Sequence, residues 1–144
     1  MFRSILCPVD FSPHSERALG YALDLAALTR ARLTVVTVVD GFLEAASQAS
    51  GAGDVLSAQT QQELQSLLDR VTANRRPHER MSIAVEVGEP AEKILEQARE
   101  CSSDLIVMGT QGLEGAKRLM FGSTTEQVLR ESAVPVLAVP AEVP

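Results

Sequence analysis

The sequence predicts an α/β fold, a single domain over residues 1–144 in which a doubly wound, five-stranded parallel sheet carries helices on both faces. Two observations predict it. Short runs of Val, Ile and Leu alternate with helix-period segments from one end to the other, as expected when parallel strands are buried on both faces and joined by crossover helices. The 144 residues are also enough to bury a core without a metal or disulfide staple, and with aromatics at only 3% that core must be aliphatic.

Residues 2–9 are the first expected strand. Ser12-Pro13 then reads as a cap residue followed by proline at the first helical position, opening a helix that runs to Arg30. Residues 33–39, unbroken in Val and Thr, are the second strand. Residues 41–53 are small and glycine-flanked and read as a flexible connection, after which Leu64, Leu67, Leu68 and Val71 mark one face of a second helix. A polar loop at 74–80 leads to the third strand at 83–87. Gly88-Glu89-Pro90 turns into a helix whose Ala91, Ile94, Leu95 and Ala98 recur at i, i+3, i+4 and i+7. Glutamate is a poor N-cap, so this helix start is less well specified than the others. Residues 105–108 are the fourth strand. Ser123 and Glu126 have capping-box spacing and open a last short helix, and Val136–Val139, fenced by Pro135 and Pro140, is the fifth strand.

Right-handed crossovers leave two common orders for such strands, 2-1-3-4-5 and 3-2-1-4-5, both with a switch point beside the first strand where ligands bind. In the second order the first and fourth strands are neighbours. Pro8-Val9-Asp10 and Gly109-Thr110-Gln111-Gly112 would then converge on one crevice.

Composition narrows the partners. A formal net charge of −6 and the scarcity of aromatic platforms argue against a nucleic-acid surface. The apolar runs are too short to span a bilayer and the opening residues do not resemble a secretory signal, which makes the cytoplasm the expected compartment. Cys7 and Cys101 have neither metal nor redox spacing and read as small buried hydrophobes, with a disulfide between them left open.

The chemistry concentrates after the fourth strand. Gly109-Thr110-Gln111-Gly112 follows it, and Gly122-Ser123-Thr124-Thr125 meets the next helix. Glycines let backbone N–H groups face outward, and a helix start leaves unpaired donors with a partial positive charge, so an anion such as phosphate is the natural guest. Better-known phosphate sites fail on inspection. There is no G-x-x-x-x-G-K-[ST], no G-x-G-x-x-G after the first strand, and no acidic pair beside Asp10 of the kind a receiver domain uses. Gly-x-Ser-x-Gly is absent, and His14 and His78 lack metal-ligand partners at useful spacing.

The pattern G-x2-G-x9-G-[ST], met by Gly109, Gly112, Gly122 and Ser123, resembles the nucleotide-binding branch of the universal stress proteins. Supporting matches are Pro8-Val9-Asp10-Phe11-Ser12, Val38-Val39-Asp40, Gly88-Glu89-Pro90 and Pro135-Val136-Leu137-Ala138-Val139. The resemblance implies the 3-2-1-4-5 order, a homodimer through the C-terminal edge strand, and ATP or another adenine nucleotide, with or without Mg²⁺. It implies that Pro8, Asp10 and Val38 frame adenine and ribose, Val38 through its backbone. Gly109 and Gly112 would approach ribose and phosphates, while Gly122, Ser123, Thr124 and Thr125 would ligate phosphate through N–H and hydroxyl groups. One departure stands out: Leu113-Glu114 follows the second glycine where many members carry a basic or polar residue, and a carboxylate near a triphosphate is unfavourable, with Lys117 and Arg118 available to offset it.

These residues also have ordinary roles to weigh. Ser123 can cap its helix, Asp10 can serve the turn before Ser12, and the glycines can serve loop geometry alone. His14 is expected in solvent, and Tyr21 with its hydroxyl at the surface. The expected function is a nucleotide-binding stress-response regulator with an unidentified protein partner. No base or phosphate clamp for fast hydrolysis is evident, so the enzyme alternative is a weak ATPase using Asp10 or Glu114, and a scaffold that binds no nucleotide is the third reading.

Overall fold

The computed structural model describes residues 1–51, 53–111 and 121–141. Along them run β1 (Ser4–Pro8), α1 (Pro13–Thr29), β2 (Arg32–Asp40), α2 (Gly41–Ala49), α3 (Gly53–Thr72), β3 (Met81–Gly88), α4 (Pro90–Glu100), β4 (Leu105–Gly109), α5 (Ser123–Glu131) and β5 (Val136–Val139). All strand pairs are parallel, in the order β3-β2-β1-β4-β5. Of the two windings compatible with the sequence, this is the one that makes β1 and β4 neighbours.

Strand parity divides the core. Ile5, Cys7, Leu33, Val35, Leu105 and Val107 face a cluster completed by Ala18, Leu19 and Ala22 of α1 and Leu64, Leu67 and Leu68 of α3. The alternate residues Leu6, Val36, Ile106 and Met108 face the other side, under Ala91 and Ile94 of α4 and Val128 of α5. A pleated strand turns successive side chains to opposite faces, so a strand covered on both sides must be apolar at every position. Each fully buried aliphatic side chain contributes about 1.5–3 kcal/mol.

The helix ends show how local chemistry sets the frame. Ser12 Oγ accepts from Ser15 N at 3.2 Å and Pro13 opens α1, as expected. Two expectations need correcting. Residues 41–49 are a helix rather than a flexible connection, because Asp40 Oδ1 accepts from Phe42 N (2.7 Å) and Leu43 N (3.3 Å) and caps an alanine-rich segment of good helix formers. Glu89 does cap α4: its two carboxylate oxygens accept from Ala91 N at 3.3 Å and Glu92 N at 2.8 Å, while Pro90 has no N–H to satisfy.

Both cysteines are free thiols. Cys7 lies wholly within the core, where burial pushes its thiol far above the ordinary range and keeps it neutral. Cys101 is half-buried at the end of α4. Among the described residues no helix is long and apolar enough to cross a membrane.

Candidate functional site

β1 and β4 run in register only at Ile5↔Leu105 and Leu6↔Ile106. Beyond that point β1 stays with β2, Val9 N donating to Val36 O at 2.8 Å, while β4 stays with β5, Thr110 N donating to Val139 O at 3.0 Å. The strands part at their carboxyl ends. A crevice of about 460 Å³ opens there, in the size range of small-molecule sites.

Its floor is apolar, from Val36, Val38 and Met108, with Pro90 and Ile94 of α4 beside them. Val38 also brings backbone groups. In a strand, residues i and i+2 direct their N–H and C=O to the same side; Val36 O faces β1 and is taken by Val9, so Val38, two residues on, presents its backbone pair to the side that β1 has vacated.

The opposite wall is the start of α5, and it differs from expectation by one residue. Gly122, extended at φ −64° and ψ 161°, is the N-cap, its carbonyl accepting from Glu126 N at 2.9 Å, so Ser123 is the first helical residue and not the cap. Glu126 reaches forward to Arg130 at 2.6 Å instead of closing a capping box. A second correction follows: Gly122 N already donates to Thr110 O at 2.9 Å, which removes Gly122 as an N–H donor for a ligand. The unpaired donors of this helix start are the N–H groups of Ser123, Thr124 and Thr125, for which the described residues supply no acceptor. The Thr125 hydroxyl, in turn, donates to Gly109 O at 2.8 Å.

Asp10 serves the turn and also lines the crevice. Its Oδ1 accepts from Ser12 N at 3.0 Å, and its own N–H donates to Ser15 Oγ at 3.2 Å. Between them Phe11 adopts φ +66°, a left-handed conformation that is strained for an aromatic residue and is held by the hydrogen bonds on either side and by packing of the ring against the core. Gly109 has a packing reason to be glycine: a Cβ there would lie 2.7 Å from His14 Cβ, 2.9 Å from the His14 carbonyl carbon and 3.0 Å from Ser15 N. The start of α1 rests directly on the end of β4. Expected in solvent, His14 is instead half-buried, its Nδ1 3.1 Å from Thr110 Oγ1.

A model of the universal stress protein family matches residues 1–140. This chain belongs to the universal stress protein family. The universal stress protein MJ0531 of Methanocaldococcus jannaschii is 31% identical over 143 residues, which cover 96% of this chain and 82% of that one. Among solved structures, the universal stress protein UspA from Lactobacillus plantarum matches with a TM-score of 0.79 at 26% identity, over 95% of this chain and 97% of its own. A universal stress protein in complex with cAMP matches with a TM-score of 0.73 at 26% identity, over 98% of each chain.

In this universal stress protein the crevice gathers Pro8, Asp10, Val38, Gly109, Gly122, Ser123, Thr124 and Thr125 along one cavity. Gly112, Leu113, Glu114, Lys117 and Arg118 lie outside the described residues. Gln111 lines it too, within the loop expected to converge there, whereas sequence reasoning missed Ser15, Val36, Pro90, Ile94 and Met108. Most of these look like core in the sequence; only the turn at Gly88-Glu89-Pro90 signalled that α4 begins at the carboxyl ends of the strands. Among the described residues no three His, Cys, Asp or Glu side chains group to hold a metal.

Proposed function

We propose that this chain binds an adenine nucleotide, ATP foremost, in the crevice between β1 and β4, and acts as a cytoplasmic, homodimeric stress-response regulator. The observation that carries the reading is the pairing of an apolar floor with the unpaired N–H groups of Ser123, Thr124 and Thr125, which suits a flat base joined to phosphates. The complex of a similar universal stress protein with cAMP supports the same ligand class. In this reading Pro8 and Val38 border the base, Val38 through its backbone. Asp10 faces the ribose, and the first turn of α5 receives phosphate. Gly122 borders the phosphates without giving its N–H, Gly109 lines the crevice while its open side receives α1, and Gly112, outside the described residues, is assigned to the ligand by the family pattern alone. Mg²⁺ would enter with the nucleotide, since among the described residues no three His, Cys, Asp or Glu side chains group to hold it.

Binding rather than turnover is the proposed chemistry, since Asp10 already gives one carboxylate oxygen to its turn. The test is thermal unfolding with and without nucleotide. Linkage gives roughly 2.7 kcal/mol at about 100 times Kd, a rise of several degrees in Tm. Gly122→Val should abolish the rise, because Gly122 lines the cavity and a branched side chain there takes space from the ligand, while φ −64° suits any residue. No shift with millimolar ATP, ADP, AMP or cAMP, in protein shown by mass spectrometry to be nucleotide-free, overturns the proposal.

A further inference from the structure

The opposite end of the sheet carries a second cavity, of about 560 Å³, between the end of α1 and the loop at 73–80 that precedes β3. It lies at the amino ends of β2 and β3, a strand length of roughly 25–30 Å from the crevice. Its charge is unlike that of the chain as a whole. Arg30, Arg75, Arg76 and Arg80 line it against only Asp24 and Glu79, in a protein of formal net charge −6.

Of these guanidinium groups one is structural. Arg75 Nε pairs with Asp24 at 3.2 Å and its Nη1 donates to Val71 O at 2.6 Å. It lies across α1 at Gly20, where a Cβ would come within 3.1 Å of Nη2. Arg75 thus forms a wall and cancels Asp24. Arg30, Arg76 and Arg80 make no ion pair among the described residues.

The backbone beneath them is pinned. Arg75 N donates to Thr72 O at 3.0 Å, and Arg80 O accepts from Leu33 N at 2.9 Å. His78 Nε2 donates to Ala31 O at 2.8 Å, so the ring bridges the loop to the start of β2. Arg30 is set by its own left-handed backbone at the end of α1. Like charges gathered on a fixed frame repel one another, and that repulsion is relieved by a shared anion.

We propose that this cavity is a second, separate binding site for a small anion that carries two or more phosphate groups and no base. Guanidinium forks match phosphate oxygens two at a time, and three uncommitted forks exceed what one phosphate needs. The lining offers Leu23, Ala27 and Pro77 but no Phe, Tyr or Trp on which a base could stack, and its one imidazole, His78, is tied to Ala31 O. The site does not depend on nucleotide binding in the crevice.

The test is titration calorimetry at about 0.15 M salt, with inorganic tripolyphosphate and a hexose bisphosphate as separate probes, on the parent and on Gly122→Val, the variant meant to block the crevice. Retained binding in Gly122→Val at one probe per chain, weakened about tenfold or more by Arg76→Gln with Arg80→Gln, is the expected result. Whichever probe binds more tightly identifies the source, inorganic or sugar-borne. Citrate binding as tightly as tripolyphosphate would reduce the site to a general cation patch. Affinity unchanged in the double arginine variant, loss of binding on Gly122→Val alone, or no heat at millimolar probe overturns the proposal. Both arginines are solvent-exposed, so the double variant should unfold at the parental Tm, and ATP binding on it reports separately on the crevice.

Discussion

The Thr125 hydroxyl donates a 2.8 Å hydrogen bond to the Gly109 carbonyl, tying the first turn of α5 to the last residue of β4 across sixteen positions of chain. Both residues are buried. Thr125→Val keeps the shape and strands the carbonyl, which should cost about 1–3 kcal/mol in urea unfolding. ATP affinity should fall with it, because the N–H groups of α5 lose the strut that aims them. A variant as stable as the parent would show that α5 is anchored by other contacts.

Ser123→Ala separates a cap from a ligand. With Gly122 as N-cap, the Ser123 hydroxyl holds no helix donor, and its loss should change stability by less than about 0.5 kcal/mol. ATP binding should weaken severalfold, as for one lost hydrogen bond worth about 1 kcal/mol. A stability loss of the size expected for a removed cap, about 1 kcal/mol, would argue for Ser123 as the cap after all.

Assembly is best tested at Leu137. β5 is a sheet edge, where unpaired backbone groups invite another chain. Leu137 is 39% exposed on it, whereas Val139, at 3%, belongs to the core, and a lysine there would unfold the protein instead. Leu137→Lys should shift sedimentation velocity from dimer to monomer at about 10–50 µM without altering Tm beyond mass action. A parent that sediments as a monomer would refute the edge-to-edge dimer.

Cys7 makes the fold sensitive to alkali. Burial raises its folded pKa above the ordinary thiol value near 8.5, so the folded chain keeps a proton that the unfolded chain loses. The stabilising effect is full below pH 8.5 and declines as pH rises, by about 1.4 kcal/mol per unit, or about 2 kcal/mol by pH 10. Cys7→Ala should start from lower stability because of its cavity, yet lose less between pH 8 and 10. Parallel profiles for the two proteins would show that the thiol is not the titrating group.

The strands were legible in the sequence because burial on both faces forces uninterrupted apolar runs, whereas the order was implied only by the family resemblance that the glycine spacing carries. α2 was not legible, since Gly41, Ala45, Ala46 and Gly51 look flexible until Asp40 is seen to cap them. Gly109 was singled out for the ligand, whereas its contact with His14 supplies a packing reason that no local pattern reveals. Gly122 and Ser123 were read one position out of phase, because Ser123 and Glu126 have the spacing of a capping box that the helix does not form. The arginine cavity had no local signature: Arg30 is separated from Arg76 and Arg80 by β2, α2 and α3.

The sheet has a narrow waist. β1 and β2 are in register from Ser4↔Arg32 to Pro8↔Val36, but β1 and β4 share only two residue pairs, so β3-β2-β1 and β4-β5 are two lobes joined at Ile5↔Leu105 and Leu6↔Ile106, with α1 strapped across both. A nucleotide reaching from Val38 to Ser123 would act as a clasp between the lobes, slowing amide exchange at the waist. The far lobe ends in β5, the edge proposed to meet a second copy. If closing the clasp changes the set of that edge, nucleotide and partner copy share one free energy, and each must then favour or oppose the other by the same factor.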